Sequence, residues 1–312
     1  MPKVRTLVIL FSIIVMLSFF LASGVPAANK TIGVIMTGDI PYYWDVHNAF
    51  LSTLRKQGFA DGIEIIVQRP YPDPISLSNA ARKLIALEVD VIVAYGAPAT
   101  LAVVAEETKI PVIYVGVYEP LTPKIRGKNV TGISSKVSLS SLLRYLKGIT
   151  SIATLGVVYS SNEEDSVYQM RELIKSGEQY GFRVEKIDLK RYQDAKALLS
   201  GKRPDAVFIT GSSVANMASS SIIDFCRELR IPSASLLPDK NHHVVVSLYP
   251  NPKDLGESGA EKAVKVLKDI PVETIRPDSS SHTELLFNIR EARDMGLKIP
   301  MDLVTEATKL VK

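Results

Sequence analysis

Four short segments concentrate side chains able to hold a small molecule. Tyr42-Tyr43-Trp44 sets three aromatic rings in a row, offering broad apolar contact at low entropy cost, enough to sandwich a flat or apolar group. The competing reading is that one or two of them cap a helix or pack beneath its entry loop. Gly96-Ala97-Pro98-Ala99 reads as a small-residue turn opening a helix, where a ligand can approach the backbone. There the N–H groups of Ala99 and Thr100 are candidates to receive an anion such as a carboxylate; a plain turn with proline at the first helical position is the alternative. Tyr159-Ser160-Ser161-Asn162 and Gly211-Ser212-Ser213 supply hydroxyl and amide groups that either bond a polar ligand or cap the helices they precede. Asp165 and Ser166 fall in a first helical turn and point either way. Glu119, next to Tyr118, and Asp239 each follow an apolar strand and are the carboxylates expected nearest a site, able to pair with a ligand ammonium. Asp45 is a further candidate, expected on an exposed face. Tyr249 ends a strand beside Pro250 and Pro252 and is expected to serve either a hinge or the ligand.

This is binding chemistry, and signatures of catalysis are absent from the sequence. It contains no Gly-x-Ser-x-Gly elbow, phosphate-binding P-loop or His-Glu-x-x-His spacing. His242-His243 is the sole histidine pair, and neighbours in an extended segment face opposite ways, so no metal is expected. No histidine has a convincing titratable partner, so the chain reads as neither an enzyme nor a cofactor carrier. Cys226, the one cysteine, sits on the apolar side of the amphipathic pattern SSSIIDFCRELR and reads as buried and inert. The 37 Lys and Arg are spread along the chain against 33 Asp and Glu, a balance that argues against nucleic acid as a partner.

The elements that must position these segments follow a repeating order. From Thr31, short apolar runs alternate with helical spacing. Strands are predicted over 31–36, 62–68, 89–95, 111–117 and 129–133, with helices over 44–57, 75–87 and 99–107. The order restarts with strands over 153–159, 182–188, 205–210, 231–235 and 244–249 and helices over 163–180, 192–200 and 214–229. A helix over 255–268, a strand over 284–288 and helical patterns to Lys312 follow. Strands that are apolar throughout are buried on both faces, as in parallel sheets covered by helices. The prediction is therefore an α/β protein with two doubly wound parallel-sheet domains joined by a hinge. One comprises 29–133 plus 250–283, and the other 134–249 plus 284–312. Ligands of such sheets sit beyond the carboxyl ends of the strands, where all four segments fall; if the two edges face each other, they line one cleft.

At the start, Lys3 and Arg5 precede an apolar run of 16 residues, Leu7 to Ala22, and then the small-residue stretch Ala22–Ala28. This is the pattern of a signal peptide over 1–28, cleaved after Ala27 or Ala28; the run falls short of the roughly 20 residues that span a bilayer. Gly24 stands where a lipoprotein signal carries its cysteine, so an exported, unanchored protein is expected.

Five stretches resemble the ABC transporter substrate-binding proteins of the tryptophan/tyrosine-binding-like group. Ala94–Thr100 resembles the family's "TPAA" loop, Val115–Pro120 its "TDP" strand end, and Asn129–Gly132 its "GNVTG" crossover. Leu155–Ser166 (LGVVYSSNEEDS) is similar to "IGVLYNPSEANS", and Leu285–Pro300 to "NLKTAKKLGLTIP". The resemblance implies the periplasmic binding protein type 1 fold and a periplasmic, monomeric protein. It would close on a small ligand, an amino acid or related carboxylate, and present it to the membrane permease of an importer. An exported sensory module signalling to a membrane receptor is the alternative. Two departures bear on an aromatic amino acid ligand: the family's acidic "TDN" segment reads Thr210-Gly211-Ser212-Ser213, and the first loop, Asp39–Asp45, is unusually aromatic.

Overall fold

A computed structural model describes residues 30–59, 62–120, 124, 125, 127, 129–239, 241 and 243–312. The predicted signal peptide, 1–28, lies outside the described residues, as does His242.

The first series runs β1 (Lys30–Met36), α1 (Pro41–Lys56), β2 (Ile63–Gln68), α2 (Pro74–Ala86), β3 (Val91–Tyr95), α3 (Ala97–Val104), β4 (Val112–Val117) and β5 (Val130–Ser134). Its sheet has the order β11-β5-β4-β3-β1-β2, where β11 is Asp278–Ser279, and every pairing is parallel. The second series begins with α4 (Leu139–Ile149), β6 (Thr154–Tyr159), α5 (Glu164–Tyr180), β7 (Arg183–Asp188), α6 (Ala195–Leu199) and β8 (Ala206–Ile209). It continues through α7 (Ser213–Met217), α8 (Ser219–Leu229), β9 (Ser233–Ser235) and β10 (Val246–Pro250). The chain then crosses back through α9 (Pro252–Leu267) and β11 before finishing with β12 (Thr283–Asn288), α10 (Ile289–Asp294), α11 (Met301–Thr305) and β13 (Lys309–Val311). The second sheet has the order β13-β12-β10-β9-β8-β6-β7 and is parallel except where β12 runs against β10.

The two parallel-sheet halves read from the sequence are thus present. β3 is buried along its whole length and β1 from Ile32 to Met36, as continuous apolar runs between helix layers require. Three local expectations need correction. Pro41 takes the first-turn position of α1, so the helix starts three residues before Trp44 and carries Tyr42 and Tyr43 in its first turn. The helix expected over 214–229 breaks at Ala218. The tail, read as helical to Lys312, ends as the edge strand β13, because Leu310 and Val311 pair beside Phe287 and Asn288.

α9 belongs to the first half, where it lies against α1 at unusually short range. A Cβ at Gly256 would collide with the Val46 carbonyl oxygen and stand 2.6 Å from the Ala49 Cβ, so the helices approach only because this residue has no side chain. Gly256→Val is expected to destabilise the protein by about 1–3 kcal/mol in urea unfolding, the usual cost of overpacking. Also on α1, His47 is buried, stacks on Phe50 and has its Nδ1 3.1 Å from the Tyr95 hydroxyl. Burial pushes its pKa down to about 4, so the folded protein holds it neutral. That contribution is complete above the ordinary value of 6.5 and is lost as the pH falls towards 4, because only the unfolded chain takes up the proton there. Wild type should therefore lose stability relative to His47→Gln over this interval; a pH-independent difference in unfolding midpoint would show that His47 is not held neutral.

Candidate functional site

The carboxyl edges of the two sheets face each other, and the loops beyond them enclose a cavity. The first half contributes Tyr42 and Tyr43 from α1, Ala97 and Pro98 from α3, and Gly116 and Tyr118 from the end of β4. The second contributes Glu163, Asp165 and Gln169 around the start of α5, with Gly211 and Leu236.

The aromatic segment divides. The Tyr42 hydroxyl donates to the Pro250 carbonyl at 2.7 Å, and its ring meets Tyr249 edge-on at 5.9 Å. Tyr42 and Tyr249 therefore join α1 to the chain crossing that follows β10. The Tyr43 phenol lies over Gly96, where a Cβ would come 2.5 Å from its oxygen. Gly96 also has φ 84°, so both its conformation and its neighbour demand glycine. Trp44 is turned away from the cavity. Its Nε1 donates to Asp39 at 2.7 Å and the Arg69 guanidinium stands 5.1 Å over its ring.

At the start of α3 the N–H groups read as an anion receptor are already engaged. Ala99 donates to the Thr37 hydroxyl at 3.1 Å and Thr100 to the Gly96 carbonyl at 3.2 Å. The expectation of open donors at these two amides is corrected; only the small side chains of Ala97 and Pro98 face the cavity.

On the second wall, the carboxylates are not the two expected. Glu119 pairs with Lys136. Asp239 is turned into its own loop, accepting from the N–H groups of His243 at 3.0 Å and Val244 at 3.1 Å. Glu163 and Asp165 take the cavity instead. Glu163 accepts from the Ser212 hydroxyl at 2.6 Å and from the N–H groups of Ser213 and Val214 at 2.8 and 3.0 Å, thereby capping α7 from outside. Asp165 reaches across the cleft. Its carboxylate accepts from the N–H groups of Tyr118 at 2.6 Å and Glu119 at 3.2 Å. The Tyr118 hydroxyl returns the contact by donating to Glu172 on α5 at 2.7 Å. At the rim, Lys124 pairs with Glu164 at 3.0 Å, and the rings of Tyr71 and Tyr192 meet at 6.3 Å.

The remaining predicted residues serve the scaffold around this wall. The Ser166 hydroxyl accepts from the Ser160 N–H at 2.9 Å and lies 3.0 Å from the Thr210 hydroxyl. Ser212 caps α7 through the Ala215 N–H, and Gly211 donates its N–H to Gln169 at 2.7 Å. Tyr159 packs in the second apolar core, and Asn162 is exposed on an outer groove. Gln169 was missed in the sequence, although it stands one helical turn after Asp165 and so shares its face.

Burial dominates the electrostatics. It pushes the Asp165 carboxyl up to about 7, against the two N–H bonds that pull it down, with Glu163 and Glu164 adding to the rise. Glu163 is also raised, by burial first. Tyr43 and Tyr118 are pushed up by burial and by the neighbouring carboxylates, so both remain protonated donors. The cavity keeps about 30 Å³ of room, enough for one or two waters, so an organic molecule enters only if the halves part.

Comparison with known proteins supplies the context. Residues 31–311 match the family described as ABC transporter substrate binding protein. The chain belongs to that family. No curated protein sequence matches it. Among solved structures, a conserved domain protein from Vibrio cholerae is 19% identical with a TM-score of 0.86, covering 90% of this chain and 99% of its own. An ABC domain from Streptococcus pneumonia in complex with L-Trp is 21% identical with a TM-score of 0.84, covering 91% and 100%. The ligand-free, open CD0873 from Clostridium difficile, a substrate binding protein with adhesive properties, is 23% identical with a TM-score of 0.65, covering 91% and 99%. The fold of this substrate-binding family member is accordingly the type 1 periplasmic binding protein fold.

The division of the aromatic segment is directly testable in this family member. Trp44→Ala is expected to leave the affinity of whatever solute co-purifies unchanged, whereas Tyr43→Phe, which keeps the ring and removes the hydroxyl, weakens it. Calorimetric titration of the two variants checks this, and equal losses in both would put Trp44 back in the cleft.

Proposed function

We propose that this protein is the exported, periplasmic solute-binding component of an ABC importer. It acts by binding and not by catalysis, closing two α/β halves over a small organic solute and presenting the closed form to a membrane permease. The observation that carries this reading is the position of the cavity. It lies between the halves and beyond the carboxyl ends of both sheets, and its walls are tied across the gap by Asp165 and Tyr118. Family membership supports the transport role. Within the class of amino acids and related carboxylates, the engaged N–H groups of α3 and the acidic second wall favour an amino acid over a simple acid.

Hinge closure makes a measurable claim. Small-angle X-ray scattering should give a larger radius of gyration for protein stripped of solute by partial denaturation and dialysis than for protein as isolated, with the smaller value restored when the released solute is added back. Identical scattering curves in the three states would rule out closure as the binding event.

A further inference from the structure

We propose that the cleft selects its solute by a cationic nitrogen, seated against Asp165 and Glu163 beneath the ring of Tyr43. The proposal rests on the solute-binding reading and names the chemistry of that same site.

Both carboxylates line the cavity, Glu163 3% and Asp165 9% exposed, and among the described residues neither forms an ion pair. Glu163 and Glu164 beside Asp165 are acidic, and the cation that also acts on it, Lys136, is held by Glu119. Among the described residues, Lys124 at the rim is likewise paired, with Glu164. Burying carboxylates without a counter-charge is costly, and a bound ammonium or amidinium supplies what the protein does not. A solute carrying only a negative charge would meet two like charges in a desolvated gap.

A second, independent observation comes from Ser213. Its hydroxyl is 1% exposed and makes no hydrogen bond of good geometry, although it lies against the Tyr43 phenol and the Glu163 carboxylate. A buried hydroxyl without a well-formed hydrogen bond, beside two side chains that line the cavity, is open to a solute N–H. The Tyr43 ring, which also lines the cavity, adds the attraction of an aromatic face for a cation. Finally, in the stretch Leu155–Ser166, similar to "IGVLYNPSEANS", this chain has Asp165 where that pattern has asparagine. The exchange adds negative charge at the point where the two walls meet.

The experiment compares matched compounds on the wild-type protein stripped of solute, by calorimetry and thermal shift. L-tyrosine, tyramine and 4-hydroxyphenylacetate form one set; L-leucine, 3-methylbutylamine and 4-methylpentanoate form the other. In parallel, the small molecules released from freshly purified protein are identified by mass spectrometry. The expected result is that compounds with a basic nitrogen bind and their acid counterparts do not, that the released solute carries such a nitrogen, and that Asp165→Asn weakens the best binder about tenfold or more. An acid that binds as tightly as its amine, a released solute without basic nitrogen, or an unchanged affinity in Asp165→Asn overturns the proposal while leaving solute binding intact. Protein that releases nothing and responds to no compound overturns the solute-binding reading itself. The wild-type comparison of acid with amine stands even if Asp165→Asn does not fold.

Discussion

One carboxylate joins the two halves of this molecule. Asp165 projects from the first turn of α5 and takes the backbone N–H groups of Tyr118 and Glu119 from beyond β4. This contact exists only because two parallel sheets present their carboxyl edges to one another, so that a helix start from one half meets a strand end from the other. The rest of the site follows from that juxtaposition. Tyr118 is drawn across to Glu172, Gly116 and Tyr43 close the near wall, and Glu163 and Gln169 close the far one.

The same contact gives the cleft its chemical character. A carboxylate buried between two halves is stabilised by backbone N–H groups but is not neutralised by them. Glu163 is in the same position, held by the start of α7. The cleft therefore carries carboxyl groups without a counter-charge of their own and protonated phenols, a set suited to receiving a positively charged group. Closing the halves and recognising the solute become one event, because the residue that ties the walls also faces the space between them.

Much of this was legible in the sequence. The continuous apolar strands gave two parallel sheets, and the parallel arrangement located the site at the loops after β1, β3, β4, β6 and β8. What could not be read was direction. Trp44 faces out because Pro41 starts α1 three residues earlier than the helical spacing suggested, which rotates the aromatic run about the helix axis. Ser166 and Ser212 are polar residues at helix starts, and only their partners, Ser160 and Glu163, show that they serve the scaffold. Glu119 and Asp239 have the local setting of site carboxylates, yet Lys136 and the loop at Val244 claim them. Such choices between capping and binding are made by tertiary neighbours and leave no periodic trace in the chain.

A crystal structure of the protein isolated with its own solute tests the central claim most directly. The account places that solute between Tyr43 and the Glu163–Asp165 wall, with a nitrogen within hydrogen-bond distance of a carboxylate. A solute bound outside the interdomain cleft, or one that turns a carboxylate of its own towards Asp165, would contradict it.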